Sequence, residues 1–346
     1  MTDKNYCMSA FLSFRYVPNG DKQFGKDITH HEGYSPIQEK DLHPVTTSED
    51  IDEYIRKQLD DIDLGKAAIL LSGGIDSGIL AAYMPKGTVA YTANAPTPSA
   101  KGEIERAKKV CERQGLIHKT VEVTWEDYQE CIDLLMKHDG CPVFANEPQV
   151  YTLAKRIKED GFDTIIFGDS ADMVFGGYDG LLSRDWTFDE WVKRFTFLDP
   201  ARVLREPADV SDVYERYRTG KDTIDYPRFM DEVFATSSSG AYINSFDVLE
   251  MKRLDPYVTM KMTKPLDLDR VRSGDSKYLL RELYRCKYPE FDVPEKIAMA
   301  RAADVWLADW KGPERGEFIP GCIDGLTGEQ KFLVYSLERF LNIMNL

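Results

Sequence analysis

Two short stretches of this chain carry acids, hydroxyls and glycines at spacings suited to phosphate and a hard cation. In LLSGGIDS, residues 70–77, an apolar run ends at Ser72, Gly73 and Gly74 follow, and Asp76 and Ser77 come next. In FGDSADMVFGGY, residues 167–178, a second apolar run ends at Gly168, acids follow at Asp169 and Asp172, and a Gly-Gly pair closes the segment. Glycine lacks a Cβ and lets backbone approach a phosphate closely. The Ser72 and Ser77 hydroxyls add donors, and a following helix offers unpaired N–H groups and a positive dipole end. Asp76 would repel a phosphate held there unless a cation stood between them, so Asp76 and Asp172 together imply Mg2+ on phosphate oxygens. The lysine of GxxxxGK[ST] phosphoryl-transfer loops is absent, which makes this a different phosphate device.

The elements that must position these turns read as alternating strands and helices. Residues 67–72 form a continuous apolar run, read as a buried strand, and residues 79–84 continue as helix until Pro85. Residues 87–94 read as a strand and 102–115 as an amphipathic helix closed by glycine. Residues 119–124 read as a strand, 148–161 as a helix and 162–168 as a buried strand. Such alternation predicts an α/β fold with a parallel sheet covered on both faces, its ligands beyond the carboxyl ends of the strands. Both acid-bearing turns fall there. TSED at residues 47–50 reads as a capping box. The aromatic run DWTFDEWVKRFTF, residues 185–197, reads as core packing, with a substrate-pocket lining as the alternative. Residues 1–45 are expected to form a short strand-rich extension in which SAFLSFRYV, residues 9–17, pairs as an edge strand.

Composition narrows the class of function. At 346 residues and 42% hydrophobic content the chain can bury a sizeable core. A net charge of −15 opposes the basic surface that nucleic-acid binding needs. No apolar run has the length of a membrane span, and the expected location is cytoplasmic. The six cysteines lack a CxxC pair and the five histidines form no ligand cluster beyond His30-His31, so reduced thiols and no zinc site are expected.

With these residues in view, LLSGGIDS resembles the SGGxDS loop of the PP-loop ATP pyrophosphatases. GDSADMVFGGY resembles the GDGADExFGGY segment of the asparagine synthetase family's synthetase domain. The likeness runs from about residue 46 to the end, through SKYLLRELYRCKYPEFDVPEKIAM (276–299) and FLVYSLERFLNIM (332–344). It implies a PP-loop, adenine nucleotide α-hydrolase-like domain over residues 46–346, with a helical portion at roughly 180–260. It also implies an ATP-dependent, AMP-forming carbon–nitrogen ligase that adenylates a small-molecule carboxylate, releases pyrophosphate and passes the acyl group to ammonia or an amine. Under that resemblance Ser72, Gly73, Gly74, Asp76 and Ser77 hold pyrophosphate and Mg2+, Asp172 completes the metal site, and backbone near Leu70, Ala93 and Gly168 holds adenine. Lys296 falls at the family lysine that stabilises the reacting phosphorus, Lys277 is a candidate phosphate contact, and Asp169 matches the acid that takes a proton from the amine. Two bland readings stand beside these: Asp169 as a helix N-cap and Lys296 as a surface lysine.

Departures from the family pattern are Ser170 for a glycine, Met173 for an acid, and AMARAAD (298–304) for a glycine-rich segment. The family's glutaminase opens with a cysteine after the initiator Met; here Thr2 stands in that place and Cys7 is internal. Nitrogen is therefore expected from ammonia, an amine, the substrate or a separate amine-supplying protein. The alternatives are a PP-loop enzyme acting on a nucleobase and a catalytically dead nucleotide-binding partner of an amidotransferase.

Overall fold

A computed structural model describes residues 1–31, 37–296 and 299–346. Among the described residues seven strands form two sheets: β1 (His43–Val45), β2 (Ala67–Leu70), β3 (Val89–Asn94), β4 (Ile117–Glu122), β5 (Thr164–Ile166), β6 (Lys252–Leu254) and β7 (Met260–Met262). The main sheet has the order β4-β3-β2-β5-β6 and every pairing in it is parallel. A small parallel pair, β1 with β7, stands apart from it. The expected α/β class with a parallel sheet is the one the chain adopts.

Strand direction in the sequence sets where the faces go. Ala67, Ile69 and Leu71 enter one core, with the helices Ser48–Asp60, Ile75–Ala81 and Tyr278–Lys287. Ala68, alternating to the other face, joins Val150, Leu153, Ile157 and Phe246 of the helices Asn146–Glu159 and Ala235–Val248. Thr47 caps its helix as TSED predicted, accepting from the Asp50 N–H while the Asp50 carboxylate accepts in return. The chain runs from β2 outward through β3 to β4, then returns to place β5 on the other flank of β2. Order therefore reverses at β2 and β5, and the crevice beyond their carboxyl ends is the natural ligand position.

Two expectations are corrected. Residues 9–17 do not pair as an edge strand: Lys4–Phe14 is a helix, capped by Asp3 and buried from Tyr6 through Phe14. It packs beside the helix Gly328–Ile343 in the largest hydrophobic cluster, so it is core and not a strand-rich extension. The run of apolar and small residues lacks the polar alternation of an edge strand, and a helix apolar all round is stable only when buried all round. The helical portion is also shorter than 180–260, because β6 lies inside that span and β7 begins at its last residue. β6 carries Lys252 and Arg253 at the exposed sheet edge, where each pairs with a nearby aspartate, Asp163 and Asp247. A charged three-residue edge strand leaves almost no periodic signal. Among the described residues no helix is long and apolar enough to cross a membrane.

Candidate active site

The loop after β2 is shaped by Gly73. Its φ of +72° is left-handed, and a Cβ there would meet Ala107 N and Arg106 Cβ at 2.7 Å on the neighbouring helix Pro98–Gln114. Gly73 therefore turns the chain and packs against that helix, while its neighbours face the cavity. The Ser77 hydroxyl accepts from the Ser72 N–H at 3.1 Å and lies 3.1 Å from the Ser72 hydroxyl. That ties the loop to the first turn of Ile75–Ala81 and leaves Asp76 directed inward. The Tyr257 hydroxyl fixes the same turn by donating to the Asp76 carbonyl at 2.9 Å.

The loop after β5 brings its acids to the same place. Asp76 and Asp172 share one buried lysine: Lys277 Nζ lies 2.5 Å from Asp76 Oδ2 and 2.5 Å from Asp172 Oδ1. Lys296 Nζ lies 3.0 Å from Asp172 Oδ2 and donates to the Gly177 carbonyl at 2.5 Å. Gly177 has no alternative here, since a Cβ would fall 1.9 Å from Asp172 Oδ1 and 2.2 Å from Lys277 Cε. Asp169 is not an N-cap: no side chain caps the short helix Ala171–Val174, and Asp169 instead accepts from the Ser239 hydroxyl at 3.2 Å. Lys296 is 40% exposed, yet its ammonium is committed to Asp172 and Gly177, which separates it from an ordinary surface lysine.

Electrostatics follow from the count of charges. Burial pushes Asp76 above the usual carboxylate range in spite of Lys277. Burial acts on Asp172 in the same direction, but two lysines outweigh it and hold Asp172 low. Asp169 has no lysine partner; burial, then Asp255 and Asp172, push it up to about 7. Asp255, which the motifs did not single out, is buried and pushed up to about 6, and it accepts the Ser170 N–H at 2.8 Å and the Tyr257 N–H at 3.0 Å. Its signal was faint: one acid beside a proline in LDPYV, residues 254–258.

Asp76, Asp169 and Asp172 thus face the cavity with Lys277 and Lys296, and Arg15, Arg281 and Arg301 line it as well. Asp76 Oδ1 is buried and makes no hydrogen bond among the described residues. Asp76 and Asp172 would suit a hard cation, which would satisfy the unpaired Asp76 oxygen.

A cavity of about 380 Å³ gathers Leu70, Ser72, Gly74, Asp76, Ser77, Ala93, Gly168, Asp169, Asp172, Lys277 and Lys296, so of the sequence-predicted site residues Gly73 alone stands off its wall. Tyr178, the closing residue of the second motif, lines it too, as do Arg15 and Glu103, which no motif announced. A second cavity, about 620 Å³, adjoins through Tyr178, Phe234 and Lys296. The aromatic run divides between the two readings made of it: Trp191 is fully buried core, whereas Phe195 and Phe197 wall this second cavity. The AMARAAD segment falls in part outside the described residues. Its Arg301 donates to Glu329 and Asn146 at 2.5 and 2.8 Å.

The family model described as asparagine synthase matches residues 49–301. Glutamine-hydrolyzing asparagine synthetases from Asparagus officinalis and from the nodule of Pisum sativum are 28% and 26% identical over 190 and 187 residues. Each match takes in 48% of this chain and 31% of the relative, so the chain spans about a third of the curated relatives' length. Among solved structures, a U34-tRNA thiolase from Methanococcus maripaludis is 19% identical, covering 72% of this chain and 82% of its own, with a TM-score of 0.28. An NH3-dependent NAD synthetase from Campylobacter jejuni is 18% identical over 37% of this chain and 58% of its own, with a TM-score of 0.25. At those scores the backbones share too little for a functional comparison.

Proposed function

The chain belongs to the asparagine synthase family, and from that premise we propose that it is an ATP-dependent synthetase that activates a small-molecule carboxylate as its adenylate and transfers it to ammonia or an amine. The observation that carries the reading is the convergence of the Ser72–Ser77 hydroxyl pair, the Asp76/Asp172 pair, Lys296 and Asp169 on one cavity at the reversal point of the sheet.

In this reading the loop N–H groups and the Ser72 and Ser77 hydroxyls grip the pyrophosphate portion of ATP, and backbone near Leu70, Ala93 and Gly168 receives adenine. Asp76 and Asp172 would hold Mg2+, which would supply charge neutralisation for the phosphate oxygens. Lys277 fixes the two carboxylates in register. Lys296 stabilises the negative charge that builds when the substrate carboxylate displaces pyrophosphate from the α-phosphorus. Asp169, poised near neutrality, orients the amine and takes its proton as the amide forms.

The nitrogen enters as ammonia or an amine. A glutaminase with a cysteine nucleophile needs that residue as its thiolate. Five of the six cysteines are buried, and burial pushes the Cys7 and Cys131 thiols up to about 12. Incubation with MgATP, candidate carboxylates and amines should release pyrophosphate and AMP. Release of ADP and orthophosphate would exclude the mechanism.

A further inference from the structure

The main sheet treats its two edges differently. β6 is three residues long and carries Lys252 and Arg253, which blunt it against further pairing. β4, at the opposite edge, is six residues long and pairs with β3 without a bulge, from Ile117 opposite Val89 to Glu122 opposite Asn94. It holds no proline, and its polar side chains are turned back onto the chain. His118 Nε2 lies 2.9 Å from Thr92 Oγ1, Lys119 Nζ lies 2.7 Å from Asp160 Oδ2, and Asn94 Nδ2 donates to Glu122 Oε1 at 2.6 Å. The devices that usually stop a sheet edge from pairing are therefore missing from β4.

Backbone groups on that edge are left over. The Ile117 N–H donates to the Thr88 carbonyl and the Val123 N–H to the Asn94 carbonyl, so the odd-numbered residues face β3. The N–H and C=O groups of His118, Thr120 and Glu122 consequently face outward. Among the described residues these groups have no hydrogen-bond partner, and β4 pairs with no strand but β3. Every residue of β4 is exposed or half-buried, and Ile117 is 51% exposed.

We propose that β4 pairs antiparallel with β4 of a second copy of this chain, joining two five-stranded sheets across a two-fold axis at Thr120. Only outward-facing residues can exchange N–H and C=O bonds, so in the register centred on the strand Thr120 meets Thr120 and His118 meets Glu122. On the other face Lys119 stands opposite Val121, and Ile117 stands opposite Val123, which covers the exposed isoleucine. No like charges oppose one another, and Thr–Thr pairs are favourable across strands. Charge also favours a second copy. Residues 98–122, which take in β4 and the helix packed beside it, carry six basic and four acidic side chains. Two chains of net charge −15 therefore meet where neither is acidic. The inference does not depend on the synthetase reading.

Sedimentation equilibrium of the full chain should show a mass that doubles as concentration rises through about the micromolar range. Thr120→Pro removes an outward N–H from each copy without touching a bond to β3, and should raise the dimer dissociation constant by about ten- to a hundredfold. A second measurement does not depend on how the proline variant folds. In a Cys286→Ser background the remaining cysteines are buried, and Thr120→Cys should then form an intermolecular disulfide on mild oxidation. The Cα atoms of such a facing pair stand about 5.5 Å apart, within disulfide reach. Ile117→Cys, far from its own symmetry mate in this register, should form none. A chain that stays monomeric up to about 100 μM overturns the inference. So does a dimer that Thr120→Pro leaves intact, or one that crosslinks through Ile117→Cys and not through Thr120→Cys. A pure chain that is monomeric and pairs through β4 only with a different protein overturns it as well.

Discussion

Lys277 Nζ stands 2.5 Å from Asp76 Oδ2 at one end and 2.5 Å from Asp172 Oδ1 at the other, so a single buried ammonium joins the loop after β2 to the loop after β5. Burial alone would lower the lysine's pKa, but the two aspartates outweigh it and keep Lys277 charged. Its backbone is also left-handed at φ +53°, at the start of Tyr278–Lys287. Removing one partner of a buried ionic group leaves uncompensated charge at a cost of about 3–5 kcal/mol. Lys277→Met should therefore lower the melting temperature sharply in metal-free buffer, and Mg2+ with ATP should restore more stability to the variant than to the wild type. A melting curve unaltered by the substitution would show that Lys277 does not balance the pair.

Gly177 offers a steric test of the same junction. Gly177→Ala places a methyl group inside Asp172 and Lys277, whereas Gly180→Ala, three residues on, meets nothing nearer than Arg194 Nη2 at 3.4 Å. The first should lose pyrophosphate exchange by two orders of magnitude or more, on the scale of a misplaced reacting geometry, and the second should stay near wild type. Equal activity in both would mean that the loop relaxes and the junction is not rigid.

Legibility divided along physical lines. The strand-turn-helix units were readable because β2 and β5 are largely buried and, Thr164 apart, apolar, and a glycine follows each within three residues. Asp76, Asp169 and Asp172 could be placed near one another because neighbouring parallel strands, Ala67 opposite Thr164 and Ile69 opposite Ile166, carry their loops to one edge, whereas Lys296 was placed by the family resemblance alone. Lys277 was seen as a possible phosphate contact, but its bridge between two acids depends on how Tyr278–Lys287 packs, which no local pattern encodes. Arg15 escaped for a related reason: a helix buried on every side has no amphipathic face, and the residue capping its end gains meaning only from Phe144, Phe197 and Phe234, all more than a hundred residues distant in sequence. β6 was missed because charged side chains on a short edge strand look like loop.

Metal dependence follows from the acids. Asp76→Asn and Asp172→Asn each remove one carboxylate from the cation position while keeping size and most hydrogen bonding. Both should reduce Mg2+-dependent pyrophosphate exchange by at least about a hundredfold, in keeping with the several kcal/mol that a bound cation contributes to charge stabilisation. They should differ in stability. Asp76 is held high by burial, so its neutral replacement should stabilise the metal-free fold; Asp172 is favoured as the anion by two lysines, so its replacement should destabilise it. Thermal melts in chelator distinguish the two, and a matching loss in both variants would contradict the unequal sharing of Lys277 and Lys296.

Asp169 carries the pH dependence. Its carboxyl is pushed up to about 7 in the folded chain, against an ordinary value near 4. The folded state therefore binds this proton more tightly than the unfolded state, and stability from this group is present below about pH 4 and is lost as pH rises to about 7. Asp169→Asn removes that loss, so the variant should melt above the wild type at pH 8, and the gap should close as pH falls toward 4. Its chemistry should move the other way. Pyrophosphate exchange, which precedes the amine, should be largely spared, while amide formation should fall by about 10²- to 10⁴-fold, the usual worth of a positioned base. In the wild type the amide step should accelerate as pH rises through about 7, because only the carboxylate accepts the proton. A variant that loses exchange and amide formation in equal measure would make Asp169 part of the nucleotide site and not the base.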